Sequence, residues 1–144
     1  MVKNILVAVD GSKPSIDASH FAMGLAEQMS AQLTFLFVIE TPQVIPVGPL
    51  SGYVTTSSAR SQEDVKKAEA IVEEIAKERP GLKVSTRVEL GQPVETICEV
   101  AKSLGADLVV VGARGHNAAQ RFLMGSVSDR VVHHAPCPVL VVRR

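Results

Sequence analysis

The chain has 144 residues, 46% of them hydrophobic and only 3% aromatic, and its 15 basic and 15 acidic side chains cancel to a formal net charge of +0. That balance excludes broad electrostatic attraction to nucleic acid or to a membrane surface, and no run approaches the roughly 18 apolar residues of a membrane span. The length predicts one domain, residues 1–144, and two cysteines, Cys98 and Cys137, are too few for a zinc site or disulfide framework; they read as small buried hydrophobes in a reducing compartment.

The opening segment MVKNILVAVDGS breaks at Asp10 and offers no small-residue cleavage site, so it does not read as a signal peptide, and a cytoplasmic location is expected. Ile5 to Val9 is a continuous apolar run, the pattern of a strand buried on both faces. Ser12 is placed to cap a following helix and Pro14 to sit in its first turn. Ala18, Phe21, Ala22, Leu25 and Met29 form the expected inner stripe of that helix, with His20 on an exposed stripe. Leu33 to Ile39 is the second strand.

A connection of roughly twenty residues follows, 41–60, long enough to be expected as a functional lid or a mobile segment. Ser61 and Asp64 resemble a capping box for a second helix with Val65, Ala68, Val72 and Ile75 facing inward, ended by Pro80 and Gly81. The alternation from Leu82 to Val88 predicts a third strand. Pro93 opens a third helix, with Val94, Ile97, Cys98 and Ala101 inside and Gly105 as its stop. Asp107 to Gly112 is the fourth strand, Gly125 to His134 a short helix, and PCPVLVV the fifth strand.

Strands alternating with helices predict an α/β fold: a doubly wound, five-stranded parallel sheet in the order 3-2-1-4-5, with helices on both faces. In such a sheet ligands bind beyond the carboxyl ends of the strands, where the strand order reverses. That point lies between strands one and four, so Ala8, Val9, Asp10 and Ser12 face Gly112, Ala113, Arg114 and Gly115 across one crevice. Gly125 and Ser126 begin the next helix, whose unpaired N–H groups and positive dipole end suit a phosphate. Val127 belongs to the same turn, and Ser126 and Ser128 add hydroxyl donors. Asp10 suits a ribose hydroxyl or a Mg²⁺ ion bridging phosphates, and the backbone around Val38 and Ile39 would read the base. The plainer readings stay open: the glycines as turns, Asp10 as a cap. Arg114 and Arg121 read as solvent-facing before phosphate-binding, and Asp107, at the far end of the sheet, as structural. His133 and His134 lack metal-ligand spacing, and His116 lies in the glycine loop.

The fifth strand, Val139, Leu140, Val141 and Val142, is apolar yet expected at a sheet edge, where pairing with the same strand of a second subunit would protect it. No activated nucleophile, P-loop lysine or second carboxylate near Asp10 is evident, so slow hydrolysis of a bound phosphate compound or autophosphorylation is the most chemistry expected.

The spacing of Gly112, Gly115, Gly125 and Ser126, together with ILVAVDGS near the start and HAPCPVLVVR at the end, resembles the universal stress protein family. The resemblance covers nearly the whole chain and is weakest across 41–60. It implies ATP (or AMP or ADP) bound at the crevice, a homodimer, and a stress-response or signalling role in which the nucleotide sets conformation. The alternative is a slow Mg²⁺-dependent hydrolase or phosphotransferase on the same fold.

Overall fold

Five strands this apolar need cover on both faces, and the computed structural model provides it. It describes residues 1–41, 44–46, 48–49, 53–55, 62–113 and 126–143. In chain order the elements are β1 (Asn4–Val9), α1 (Lys13–Met29), β2 (Gln32–Glu40), β3 (Val44–Pro46), β4 (Tyr53–Thr55), α2 (Gln62–Ala76), β5 (Val84–Gly91), α3 (Pro93–Leu104), β6 (Leu108–Gly112), α4 (Ser126–His134) and β7 (Val139–Val142). The main sheet runs β5-β2-β1-β6-β7 with every neighbouring pair parallel, which is the expected 3-2-1-4-5 order.

One face of the sheet is covered by α1 and α2, around Val7, Met23, Leu33, Phe35 and Val72. The other is covered by α3 and α4, around Leu6, Leu36, Ile97, Val109 and Val131. Because each central strand is buried on both sides, its apolar residues run without alternation. Among the described residues no helix is long and apolar enough to cross a membrane.

The start of α1 follows its sequence signals. Ser12 is the N-cap and accepts the N–H of Ser15, and Pro14 lies in the first turn. Its buried face follows them only in part, keeping Ala18 and Ala22 of the expected stripe. Ser15, Ala18, Ser19, Ala22, Met23 and Ala26 face the sheet, while Phe21 is 46% exposed, Met29 42%, and Leu25 half-buried. Small side chains let α1 lie close over β1 and β6, and the larger apolar residues are left on its flank. His20 and Glu27 mark the opposite flank, paired with Glu78 (2.7 Å) and Arg79 (2.8 Å) beyond the end of α2.

Other boundaries differ modestly. Within 41–60 the chain forms an antiparallel pair, β3 with β4, joined through Val44↔Thr55 and Pro46↔Tyr53. The helix α2 stops at Ala76, ahead of Pro80, and β5 runs on to Gly91. Ser61, expected as a cap, lies outside the described residues. Cys98 and Cys137 are free thiols, half-buried and packed against the core on the α3–α4 face instead of fully inside it; burial raises both pKa values, helped by Glu95 and Glu99 at Cys98 and by Asp107 at Cys137. The strand β7 lies at the sheet edge, with Val139, Leu140 and Val141 half-buried and Val142 buried.

Candidate functional site

The register of the ladders builds a step at the carboxyl end of the sheet. Pairing between β1 and β2 ends at Val9↔Phe37. The β2–β5 ladder continues for three more residues, through Val38↔Glu89, Ile39↔Leu90 and Glu40↔Gly91. On the other side β6 and β7 end together at Gly112↔Val142. At about 3.3 Å per residue, β2 and β5 therefore stand roughly 10 Å above the floor formed by the end of β1. The crevice has one tall wall and one short one.

The peptide groups of the tall wall have a definite direction. The N–H of Gln32 donates to Lys3 in the β1 direction, whereas those of Leu33 and Thr41 donate to Lys83 and Gly91 on the β5 side. Peptide groups alternate along a parallel strand, so even-numbered residues of β2 face β1 and odd-numbered ones face β5. Val38 thus turns its carbonyl toward the crevice, past the end of β1, while the N–H and C=O of Ile39 face β5 and its side chain is buried.

The floor is held by the first turn of α1. Gly11 takes φ +81°, a left-handed conformation open to glycine at little cost. It folds the chain back so that Asp10 Oδ1 accepts from both the N–H (2.9 Å) and the hydroxyl of Ser12. The N–H of Asp10 donates to Ser15 Oγ (3.2 Å), whose hydroxyl donates to the Ser12 carbonyl (2.9 Å). Asp10 is both a turn residue and a carboxylate at the mouth of the crevice. Ala8 is half-buried and Val9 buried directly beneath it.

On the short wall, a Cβ at Gly112 would lie 2.8 Å from the carbonyl carbon and oxygen of Pro14. Glycine is required there so that β6 can pass against the start of α1. Ala113 donates its N–H to Val142 (2.9 Å) and accepts the Ser128 hydroxyl on its carbonyl (3.0 Å). Ser128 is buried and ties α4 to the end of β6, whereas Ser126 and Val127 are exposed at the first turn of α4. Arg114, Gly115, His116, Arg121 and Gly125 lie outside the described residues.

Asp107 sits at the opposite end of the sheet. Its Oδ2 accepts the N–H groups of Lys3 and Asn4, both at 2.9 Å, and those two bonds hold its carboxyl below the usual range. His133 lies 3.6 Å from Asp129 within α4, and among the described residues no group of three or more His, Cys, Asp or Glu side chains could hold a metal.

A family model for the universal stress protein family matches residues 1–143. A universal stress protein from Staphylococcus epidermidis is 40% identical over 142 residues, covering 98% of this chain and 84% of that protein. The solved structure of UspA from Lactobacillus plantarum superposes with a TM-score of 0.77 at 28% identity, covering 99% of this chain and 98% of that one. Two further solved structures share the fold. One is a universal stress protein in complex with cAMP (TM-score 0.71, 24% identity, 99% and 97% covered); the other is an Arabidopsis thaliana family protein with AMP bound (TM-score 0.62, 23% identity, 99% and 91% covered). The chain belongs to the universal stress protein family.

Proposed function

We propose that this chain binds an adenine nucleotide in the stepped crevice and acts as a nucleotide-dependent stress-response or signalling protein, with ATP setting its conformation. The observation that carries the reading is the step itself. A wall roughly 10 Å high, with the Val38 carbonyl turned toward the crevice, offers an edge along which a base joined to its ribose can lie. Proteins of the same fold hold cAMP and AMP. Adenine offers an exocyclic amine to a carbonyl acceptor. Asp10, at the foot of the wall, accepts a ribose hydroxyl, and the first turn of α4, with Ser126 exposed, presents N–H groups to phosphate across the crevice.

The donor chemistry near Asp10 also fits a magnesium ion, which one carboxylate together with a ligand's phosphates would hold. Asp10 would be the protein ligand. When bound, the ion neutralises phosphate charge; the chain's own part is to orient the carboxylate through Ser12.

A homodimer is part of the proposal. The edge strand β7 carries Val139, Leu140 and Val141 half-buried beside ladder positions that no described strand pairs, and pairing with a second β7 across a two-fold axis would cover them. Sedimentation of Val141→Asp, compared with wild type, reads this out as a shift toward monomer.

The test of the nucleotide reading is calorimetric titration of the purified protein with AMP and with ATP, each with and without Mg²⁺. Binding near one nucleotide per chain, stronger for Mg·ATP and weakened by Asp10→Ala, is expected. Heats indistinguishable from dilution for both nucleotides would discard the reading.

A further inference from the structure

We propose that Gln92, acting through Thr41, sets the base selectivity of the crevice; this rests on the nucleotide reading above and deepens it. Gln92 occupies the N-cap position of α3, at φ −85° and ψ 130°, yet its side chain makes no capping bond to the helix. It reaches instead to the chain leaving β2. Its Nε2 lies 3.3 Å from the carbonyl oxygen of Thr41 and 3.3 Å from Thr41 Oγ1. The N–H of Thr41 donates in turn to the Gly91 carbonyl at 3.2 Å. These bonds carry the β2–β5 pairing one residue beyond its last ladder pair, Glu40↔Gly91.

The position of this clasp gives it a function. Val38 to Glu40 form an overhang, paired to β5 on one side and past the end of β1 on the other. A strand held from one side keeps its height and tilt only if its free end is anchored, and Thr41 is that end. The corner is tightly built. A Cβ at residue 91 would press on Thr96 Oγ1 in the first turn of α3, so a side chain there would need that hydroxyl to move, and the anchor is made by Gln92.

The chemistry read by the wall depends on direction. Adenine presents an amine where guanine presents a carbonyl oxygen. A fixed Val38 carbonyl accepts from the first and repels the second, whereas a carbonyl free to swing discriminates poorly. Gln92 touches no ligand in this arrangement; it is a positioning residue for the carbonyl three residues before its partner Thr41.

Two variants separate this role from simple support of the fold. Gln92→Met keeps the length of the side chain and removes the donor. Gln92→Glu also cannot donate to Thr41, but its negative charge at a helix start favours α3, so its Tm should equal or exceed that of wild type. Binding of AMP, GMP and inorganic tripolyphosphate is measured by titration calorimetry for all three proteins. The preference of wild type for AMP over GMP is expected to fall about five- to tenfold in both variants, the size of one good hydrogen bond, while tripolyphosphate affinity stays within about twofold. An unchanged AMP:GMP ratio in either variant overturns the proposal, as does an equal weakening of all three ligands. A wild type that binds AMP and GMP alike overturns it while leaving the nucleotide reading in place. A wild type that binds none of the three removes both.

Discussion

Two aspartates stand at opposite ends of this sheet and do different work with the same carboxylate. Asp107, at the amino end, accepts the N–H groups of Lys3 and Asn4, more than a hundred residues away in sequence. It closes the sheet by stapling the chain's first strand to the approach to β6. Asp10, at the carboxyl end, accepts from its near neighbour Ser12. It closes a turn and faces a crevice. The sign of a site is therefore not the carboxylate itself but where its bonds go: long-range bonds to backbone spend it on the fold, and local bonds keep it at the surface of a cleft.

The comparison can be broken most forcefully at the carboxyl end. Gly112→Ala puts a methyl group 2.8 Å from the Pro14 backbone, and because that neighbour is main chain it cannot swing aside. The expected cost is about 1–3 kcal/mol of stability, read from urea unfolding; a midpoint unmoved from wild type would mean that β6 and α1 are not held in close contact. Asp10→Asn tests the other half of the contrast. It should lower Mg·ATP affinity about tenfold, or roughly 1.4 kcal/mol, with much less effect on AMP measured without Mg²⁺ and little on Tm. Equal losses for both ligands would show that the carboxylate acts on the ribose or through the turn and not on the ion.

Ser128→Ala is smaller. Its hydroxyl is buried and donates to Ala113, so removal should cost about 1 kcal/mol. Hydrogen exchange should rise in the first turn of α4 and at the Ala113 amide more than in β1. A uniform rise across the sheet would argue against a local tie.

Much of this was readable before any coordinates. The alternation of strands and helices and the cap at Ser12 follow from apolar runs and turn residues that depend on local chemistry, whereas the 3-2-1-4-5 order was a supposition that the sheet bears out. The inner face of α1 was readable only in part: Ala18 and Ala22 were expected there and are buried, but Phe21 and Met29 look like core residues by type, and only the close packing of α1 on the sheet leaves them out in favour of Ser15, Ser19, Met23 and Ala26. Gly112 was legible as a place of close approach but not as to what approaches; Pro14 fills that space. The direction of the Val38 carbonyl was beyond sequence for a sharper reason. It depends on the parity of the register between β1 and β2, which a slip of one residue would invert.

The least disruptive test is at the amino end. Asp107→Asn keeps the size of the side chain and one acceptor oxygen, and the parallel ladders of β1 remain, so the loss of stability at neutral pH should be the smallest of the set. Its shape against pH is the informative part. The folded carboxyl titrates below its usual value, first because of the N–H bonds from Lys3 and Asn4 and then because of the nearby amino terminus and Lys3. A depressed carboxyl contributes stability that is fully present above the unfolded value, about 3.9, and is lost as pH falls through the folded one. The stability difference between wild type and Asp107→Asn should therefore be constant from neutral pH down to about 5 and shrink toward zero in stronger acid. Nucleotide titrations of the same variant should match wild type, since Asp107 lies a full strand length from the crevice. A difference that persisted unchanged below about pH 3 would mean that the staple acts through shape and not through charge, and the contrast between the two aspartates would then rest on position alone.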